Sequence, residues 1–496
     1  MTTSVNTGSP TLAREMGVLG LVATGVCAMV GAAINVIPFM IQRNVPGIGA
    51  SVLPAYLLAA IPALFAALAY AILASAMPRA GGSYVYASRA LTPYLGFVAS
   101  FSQWFSLSVA IGVVSYLLVP FLRDVAMAAG ASGVSAALET GAARLVIPIA
   151  VLWTFVGVNL RGIAAYQRTV IPLMFLTLIL GGLVIVAGFS FTQVDFLLAV
   201  PDVAGAVART RESTAGVQHI VMASVLLFSS FIGFDTIAQA GGEARDASRT
   251  VPLAIGFAIA GVAVFYFLFT AAVYHAVPWQ WVAEQARTRD LTAPGLLAPL
   301  LPRPLTVLMV SGAAIALMKD LPAMLLGTSR LMFAWAEDRI FPAAVARVHP
   351  VRRTPDVAVI ASGAMATAGI LGSHLAGDFF LGVDILVISM LINFLLMSVA
   401  VLTLPGRNPA LAARVRVVPQ RALQVLLAGA GILVIGAFLG MHVWRDVTAD
   451  TAWYFRSTNL WVLMLGAASV IYWRERRALV RRGVDVRALF SNLPPE

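Results

Sequence analysis

Lys319 and Asp320 are the neighbouring residues whose types and position most clearly indicate chemistry. Lys319 is the only lysine of the chain, and both residues lie inside an apolar run, residues 305–335. A helix rises about 1.5 Å per residue, so the lysine would lie roughly 20 Å from either end of that run, too far for its side chain to reach water. A charge at such depth in a membrane costs about 2.5–3.5 kcal/mol. The pair therefore predicts a buried partner or a polar cavity, and a function.

The composition predicts an integral membrane protein. Of the 496 residues, 60% are hydrophobic and 11% are charged, and the mean hydropathy is +0.90. Soluble globular domains carry about 25% charged residues. Runs such as residues 64–77 are apolar on every face. This pattern excludes the alternation of a membrane β-barrel and predicts helices.

Twelve stretches are long enough to cross a hydrocarbon core of roughly 30 Å. They are residues 16–41, 51–77, 94–121, 142–160, 169–190, 217–240, 251–277, 304–335, 356–376, 379–404, 422–444 and 458–474. The predicted fold class is therefore all-α, with twelve transmembrane helices embedded in a lipid bilayer. An even number of spans places both termini on the same side.

The net charge of +11 indicates membrane orientation rather than a nucleic-acid partner. With the N-terminus inside, 22 arginines fall on the inner segments and ten on the outer segments. Basic residues concentrate in cytoplasmic loops, so both termini are expected in the cytoplasm, in a protein of the plasma (inner) membrane. The first residues lack the basic start and short apolar core of a cleaved signal peptide. The sole cysteine, Cys27, is expected to be a small packing residue.

Two of the predicted spans contain an interruption near mid-membrane. The first is interrupted by Gly25, Gly31, Asn35 and Pro38. The sixth is interrupted by Ser229, Ser230, Gly233, Asp235 and Thr236. Interruptions five spans apart are typical of an inverted repeat of five plus five helices, in which the substrate lies between two discontinuous helices. Close helix packing through small residues is the alternative explanation.

Four segments resemble the amino acid, polyamine and organocation (APC) superfamily of transporters. They are GGSYVYASRALTPYLGF (residues 81–97), FIGFDTIAQAGGEARDASRTVP (231–252), SRLMFAWAEDRIFP (329–342) and LPGRNPALAARVRVVP (404–419). The resemblance implies an inverted-repeat core of the LeuT type with two further C-terminal helices. We therefore expect a cytoplasmic tail (1–15), a first repeat (16–190), a second repeat (217–404), spans eleven and twelve (422–474) and a cytoplasmic C-terminal tail (475–496).

The resemblance also implies that the first interruption binds substrate. Backbone N–H groups freed there are able to hold a substrate carboxylate. This chain reads Gly31, Ala32, Ala33, Ile34, Asn35, with alanine at the third position where relatives commonly have glycine. Alanine keeps the N–H group but tolerates a positive φ poorly. Close helix packing is again the alternative.

The second interruption supplies further candidates. Asp235 is a natural partner for a substrate ammonium or a proton, although free N–H groups of the broken helix are the alternative partner. Gly233 lies within the interruption. Phe228 and Phe231 bracket it and are candidates to cover a substrate or to contact an amine, although packing is the stronger explanation for each ring. On the third span, Tyr116 is a candidate gate.

Lys319 and Asp320 are the predicted coupling residues, together with Asp235. In many sodium-independent relatives, the resemblance implies a lysine on the fifth helix in place of a bound sodium ion; this chain has Met174 or Phe175 there. We therefore expect Lys319, on the eighth span, to supply that cation. Its expected acceptors are carbonyls of the broken first helix or Asp235, because Asp320 lies about 100° round the helix and is a poor partner unless Pro322 distorts that turn. A lysine that only locks two helices together is the alternative.

The function that follows is secondary active transport of an amino acid or related organic amine by alternating access, coupled to protons or run as exchange rather than driven by sodium. A polyamine or organic cation permease of the same fold is the alternative, and a channel or non-transporting sensor is less favoured. No metal-ligand cluster, nucleophile and base pair or phosphate loop indicates an enzyme, a metal site or a cofactor.

Overall fold

The computed structural model describes residues 11–209, 215–376 and 379–494, which fold into α-helices and short 3₁₀ turns with two isolated β-bridges. The helices of the first half are α1 Val18–Met29, α2 Ala32–Asn44, α3 Val52–Ala76, α4 Gly82–Ala90, α5 Pro93–Ala128, α6 Ser132–Leu138, α7 Gly141–Leu160, α8 Ile163–Ser190, α9 Gln193–Ala199, α10 Val203–Arg209 and α11 Val217–Leu227. Those of the second half are α12 Thr236–Gln239, α13 Ala247–Ala276, α14 Trp279–Ala286, α15 Ala293–Leu297, α16 Arg303–Glu337, α17 Asp356–Ala376, α18 Phe379–Arg407, α19 Pro409–Ala412, α20 Arg421–Thr448, α21 Ser457–Arg481 and α22 Val486–Ser491.

Within the described residues, eleven helical segments are long and apolar enough to cross a membrane. They overlap the first eleven predicted stretches, which confirms an all-α membrane fold. The twelfth predicted span lies in α21, which is helical but does not reach the same apolar composition. Its first residues are Ser457, Thr458 and Asn459, and its end is rich in arginine. The count of twelve and the inverted repeat therefore stay predictions.

Both predicted interruptions are present, but Gly25, Asn35 and Pro38 lie inside helices rather than in the first interruption. The first span divides into α1 and α2, which are separated by Val30 and Gly31; we call these two residues the first break. The sixth span passes from α11 into the 3₁₀ turn Phe228–Phe231 before α12 begins. We call residues 228–235 the second break. Glycine and small polar residues in the sequence thus mark real discontinuities, where backbone groups are left without helical partners.

The broken helices lie at the centre of the bundle. Helix α1 packs against α8, α13 and α16, and α5 packs against α16, α17 and α18. Helix α5 begins where Thr92 caps it: the Thr92 hydroxyl accepts a hydrogen bond from the backbone N–H of Leu95 at 3.1 Å, and Pro93 occupies the first helical position. Lys319 and Asp320 lie midway along α16, the helix that α1 and α5 share as a neighbour.

Two buried ion pairs tie the connecting segments to the end of α16. Arg330 donates to both carboxylate oxygens of Glu243, and Arg89 donates to both carboxylate oxygens of Asp338. All four side chains are at most 2% exposed. Burial disfavours the charged Arg89 guanidinium, but the hydrogen bond and the charge of Asp338 outweigh that cost and raise its pKa. Bidentate geometry fixes the orientation of each pair as well as its charge.

Candidate functional site

At the end of α1, the carbonyl groups of Cys27, Met29 and Val30 each accept a hydrogen bond from a side chain of a neighbouring helix. The Lys319 ammonium donates to the carbonyl of Cys27 at 3.1 Å and to that of Val30 at 2.5 Å. The Tyr266 hydroxyl, from α13, donates to the carbonyl of Met29 at 2.5 Å. The C-terminal end of a helix carries partial negative charge, so a cation there is stabilising.

Lys319 therefore has the expected acceptors, carbonyls of the broken first helix. It has no hydrogen bond to Asp235 among the contacts of the described residues. The expectation that Asp320 is a poor partner is wrong: the ammonium lies 3.0 Å from Asp320 Oδ1. The four-carbon stem of lysine spans the 100° between the two positions, and both side chains are directed to the same break.

The ammonium lies at the junction of three helices. Cys27, whose carbonyl it contacts, also directs its thiol to the carbonyl of Val170 on α8, at 3.5 Å. Helices α1, α8 and α16 thus meet around the charge. Relatives are expected to carry a lysine at the position of Met174 or Phe175. Met174 is buried one turn further along α8, whereas Phe175 is 48% exposed. The structure places Lys319 on α16 at the same junction.

Asp320 lies against the other side of the first break. A Cβ built on Gly31 would fall 1.6 Å from Asp320 Oδ2, so only glycine leaves room for the carboxylate. Gly31 has φ −133°, so the close approach rather than a left-handed backbone requires glycine here. Gly31 is also the residue that precedes α2, whose first N–H groups carry partial positive charge. The carboxylate therefore lies at the positive end of α2.

The alanine at position 33 is compatible with the break. Ala32 begins α2 and Ala33 lies within it, so neither has a positive φ. The reservation that alanine tolerates a positive φ poorly does not apply to this chain.

At the second break, Gly233 brings the two discontinuous helices into contact. Its φ is +134°, and a Cβ there would fall 2.6 Å from the carbonyl oxygen of Ala28 on α1. The backbone N–H of Gly233 donates to Asp235 Oδ1 at 3.0 Å, which holds the aspartate inside the break. A glycine is required here for both its backbone conformation and the space beside α1.

Asp235 is buried in a polar network that reaches α3, α4 and α5. Its Oδ2 accepts from Gln103 on α5, and Gln103 accepts from Gln239 at 2.8 Å and from Ser83. The Tyr70 hydroxyl contacts Ser83 at 2.5 Å. The network links five segments of the fold, and buried networks of this kind are strongly orienting when their members are satisfied. Asp235 is thus held by the backbone and by an amide, the alternative stated for it above.

A cavity lies between the two breaks and is walled by α1, α2, α5, α16 and α18. Its lining residues are Ala28, Met29, Ala33, Ile37, Leu107, Ala110, Val113, Val114, Ser229, Ile232, Gly233, Asp320, Met324, Gly382, Val383 and Leu386. Among the described residues that line it, Asp320 is the ionisable one and Ser229 is the other with a polar side chain. A concave, largely apolar site with few polar groups is typical of small-molecule binding.

Some of the predicted binding residues line this cavity, and others lie elsewhere in the bundle. Ala33, Gly233 and Asp320 line it, and Gly31 borders it through the Asp320 carboxylate. Ile34 and Asn35 lie on the opposite face of α2, beside α8 and α13. The Asn35 amide donates to the carbonyl of Gly31 at 3.1 Å. Adjacent helical positions point in different directions, so one stretch of sequence cannot line one cavity completely.

The aromatic candidates and Asp235 are not in the cavity lining. Phe228 packs edge to face against Phe394 and Phe438, and Phe231 packs likewise against Tyr56 and Tyr266. These contacts correspond to the packing alternative.

Tyr116 lies near the end of α5, where its hydroxyl is 3.4 Å from His374 Nδ1. It is half-buried and pairs with α17 rather than facing the cavity. Sequence reasoning missed the cavity wall supplied by α18, residues Gly382, Val383 and Leu386, because nothing but the lone glycine distinguishes them from any other apolar helix.

Comparisons with known proteins agree with this architecture. The sequence model of the family described as "Amino acid permease" matches residues 16–468. The branched-chain amino acid permease BcaP of Bacillus subtilis is 28% identical over 196 residues, which are 40% of this chain and 40% of that protein. The low-affinity putrescine importer PlaP of Escherichia coli K12 is 27% identical over 320 residues, 64% of this chain and 63% of that protein.

A third relative covers more of the chain. The methylthioribose transporter of Bacillus subtilis is 26% identical over 451 residues, 86% of this chain and 89% of that protein. The alignments with BcaP and PlaP span less than two thirds of either relative. All three relatives are described as a permease, importer or transporter, in agreement with the expectation that the chain is not an enzyme. Since the family match extends over most of the chain, this protein belongs to the amino acid permease family.

Proposed function

We propose that this protein is a secondary transporter that moves an amino acid or related organic amine across the plasma membrane by alternating access, with both termini in the cytoplasm. The observation that carries the proposal is the cavity between two discontinuous helices, lined by Ala33 from one and Gly233 from the other. Binding sites in inverted-repeat transporters lie where broken helices from the two repeats meet. We assign the repeats to residues 16–190 and 217–404.

The comparisons support transport of a small organic molecule. The relatives' names include an amino acid permease, a putrescine importer and a methylthioribose transporter. Because those substrates differ in charge and shape, they do not select one substrate for this chain. The substrate of this chain therefore depends on the side chains that line its own cavity.

The coupling proposal rests on Lys319. Its ammonium is completely buried and contacts the carbonyls of Cys27 and Val30, at the end of α1, and the Asp320 carboxylate. A fixed ammonium at the junction of α1, α8 and α16 occupies space that a sodium ion would need. Coupling then runs through protons or through exchange of substrates rather than through a sodium gradient.

The test is uptake by proteoliposomes that contain the purified protein. A panel of labelled amino acids and amines is offered with a proton gradient, a sodium gradient or an internal pool of unlabelled substrate, each imposed separately. We expect saturable uptake that the proton gradient or the internal pool accelerates and the sodium gradient does not. Acceleration by sodium alone would overturn the coupling proposal. Fluxes far above the roughly 10³ per second at the upper end of common turnover numbers would indicate a channel.

A further inference from the structure

The C-terminal end of α21 carries a dense cluster of positive charge. Residues 474–482 include five arginines and one glutamate. Arg474, Arg477 and Arg481 recur at intervals of three and four residues, which places them on one face of the helix. All three line a groove on the surface of α21, and Glu475 is not part of that lining. The groove therefore concentrates positive charge without an acid of its own.

The three arginines of the groove have no partner within the described ranges. No side-chain hydrogen bond or ion pair engages Arg474, Arg477 or Arg481 there, and all three are exposed. The positions three and four residues before and after Glu475 hold apolar or aromatic side chains, so it has no arginine to pair with along the helix. Arg330, by contrast, is paired with a buried carboxylate. Like charges one turn apart repel each other, so an anion between the arginines of the groove would be stabilised.

The groove continues from the arginines onto an apolar surface. Towards the middle of α21 it is lined by Trp473, Val470, Ser469 and Gly466. A Cβ added to Gly466 would meet no atom within 4 Å, so the groove is open at this point. The Ser469 hydroxyl is already hydrogen bonded to the hydroxyl of Tyr94, near the start of α5, at 2.9 Å. This half of the groove thus offers apolar contact rather than a further charge.

The charged and apolar halves meet at aromatic side chains. Trp473 and Tyr94 have ring centroids 5.3 Å apart, and the guanidinium carbon of Arg476 lies 5.1 Å from the centre of the Trp473 ring. Tryptophan and tyrosine are enriched where a membrane meets water. Helix α21 packs against α5 and α18, two of the helices long and apolar enough to cross a membrane. The arginines of the groove follow Trp473 over about 12 Å of helix, from the edge of the hydrocarbon core into the headgroup region.

We propose that this groove binds an anionic phospholipid. Arg474, Arg477 and Arg481 hold the phosphate and headgroup, because guanidinium groups bind phosphate oxygens in pairs. An acyl chain lies along Val470 and Gly466. A soluble phosphate would satisfy the arginines but leave the apolar half of the groove empty, so the combination selects a lipid. With the termini in the cytoplasm, as proposed above, the lipid belongs to the inner leaflet; its binding does not depend on the transport function.

The experiment measures lipid binding to the purified full chain. Native mass spectrometry in detergent counts bound lipids while phosphatidylglycerol or phosphatidylcholine with the same acyl chains is titrated. We expect phosphatidylglycerol to bind at least about tenfold more tightly, since only its headgroup leaves the phosphate charge uncompensated. Raising the ammonium acetate concentration should weaken its binding, because the arginines are exposed and their charges are screened by salt. Equal affinities for the two lipids would overturn the proposal.

A triple variant tests whether the groove is the site. Arg474→Gln, Arg477→Gln and Arg481→Gln together are expected to weaken phosphatidylglycerol binding about tenfold or more and to leave phosphatidylcholine binding unchanged. The matched control removes the same charge from three exposed arginines at the end of α18 and after α19: Arg407→Gln, Arg414→Gln and Arg416→Gln. It is expected to bind phosphatidylglycerol like the wild type. An equal loss in both variants would show that binding follows net charge, which would overturn the assignment to this groove.

The apolar half of the groove is tested without changing any charge. Gly466→Leu fills the open part of the groove and is expected to weaken phosphatidylglycerol binding several-fold, about fivefold if one buried side chain's worth of contact is lost. Gly440→Leu, at an exposed position of α20 with open space around it, is the control and should have no effect. Inorganic phosphate at the same ionic strength should not displace the lipid. Displacement by phosphate, or unchanged binding by Gly466→Leu, would overturn the assignment to a lipid.

Discussion

The Asp320 carboxylate and the α-carbon of Gly31 approach so closely that a Cβ on that glycine would lie 1.6 Å from Oδ2. Gly31→Ala is therefore expected to displace the carboxylate from the start of α2 and to destabilise the fold by about 1–3 kcal/mol, as overpacking commonly does. Thermal unfolding in detergent measures the change. Gly261→Ala, on α13 with open space around it, is the matched control and is expected to be neutral or stabilising.

The same relationship predicts coupling between the two positions. In the Asp320→Ala background the space beside Gly31 is empty, so Gly31→Ala should cost much less there than in the wild type. A double-mutant cycle on the unfolding free energy measures this difference. Equal costs in both backgrounds would show that the contact is not what constrains Gly31.

Removing the Lys319 charge tests the coupling proposal. Lys319→Met leaves Asp320 buried without its cation, and breaking such a pair costs about 3–5 kcal/mol. Lys319→Met combined with Asp320→Leu removes both charges and is expected to recover most of that stability. Neither variant is expected to respond to a proton gradient. Normal pH-dependent uptake by the stable double variant would contradict the coupling proposal and show that Lys319 only holds two helices together.

The contact between the two breaks depends on Gly233. Gly233→Ala places a Cβ 2.6 Å from the Ala28 carbonyl oxygen on a backbone with φ +134°, so it should destabilise the fold by about 1–3 kcal/mol and lower uptake. Gly256→Ala, within α13, makes the same substitution where no atom lies within 4 Å of the added Cβ and φ is not positive. If the two variants unfold at the same temperature, the two broken helices are not fixed by this contact.

A variant of Asp235 tests whether this residue couples transport to the gradient or only supports the fold. We propose that it acts in coupling through the network of Gln103 and Gln239 rather than by touching substrate. Asp235→Asn is then expected to abolish gradient-driven accumulation while substrate exchange between internal and external pools continues. Parallel counterflow and proton-gradient assays on the same proteoliposomes measure both. Loss of both activities with an unfolded elution profile would instead assign Asp235 a structural role.

Removing one partner of a buried ion pair at the end of α16 is expected to cost much more stability than removing one partner of an exposed pair, because the remaining charge is left buried and uncompensated. Arg330→Met leaves Glu243 buried and unpaired and should cost about 3–5 kcal/mol. Arg352→Met removes the partner of Asp356, a pair in which the arginine is 40% exposed, and should cost less than about 1 kcal/mol. Unfolding free energies of the two variants test this ranking.

The structure confirms some contacts that the sequence predicted. Lys319 could not reach water, so carbonyls exposed by a break in a neighbouring helix were its natural acceptors, and the carbonyls of Cys27 and Val30 fill that role. The prediction for Asp320 was wrong. Its angular position on α16 argued against a contact with Lys319, but side-chain length and a shared target bring the two together.

The orientation of other residues depends on neighbours that the sequence does not identify. Phe228 and Phe231 flank the second break as predicted, yet both rings pack among other aromatic residues. Gly382 and Met324 line the cavity although they are ordinary members of apolar helices.

By itself, the sequence determined the membrane class, eleven of the twelve predicted spans and the positions of the two breaks, because hydropathy, length and glycine content are local properties of the chain. Only the tertiary structure decided which charges meet. The placement of Asp320 at the start of α2 depends on how α16 packs against α1, a relationship between residues about 290 positions apart. Helix packing fixes that register within ångströms, and no local pattern encodes it.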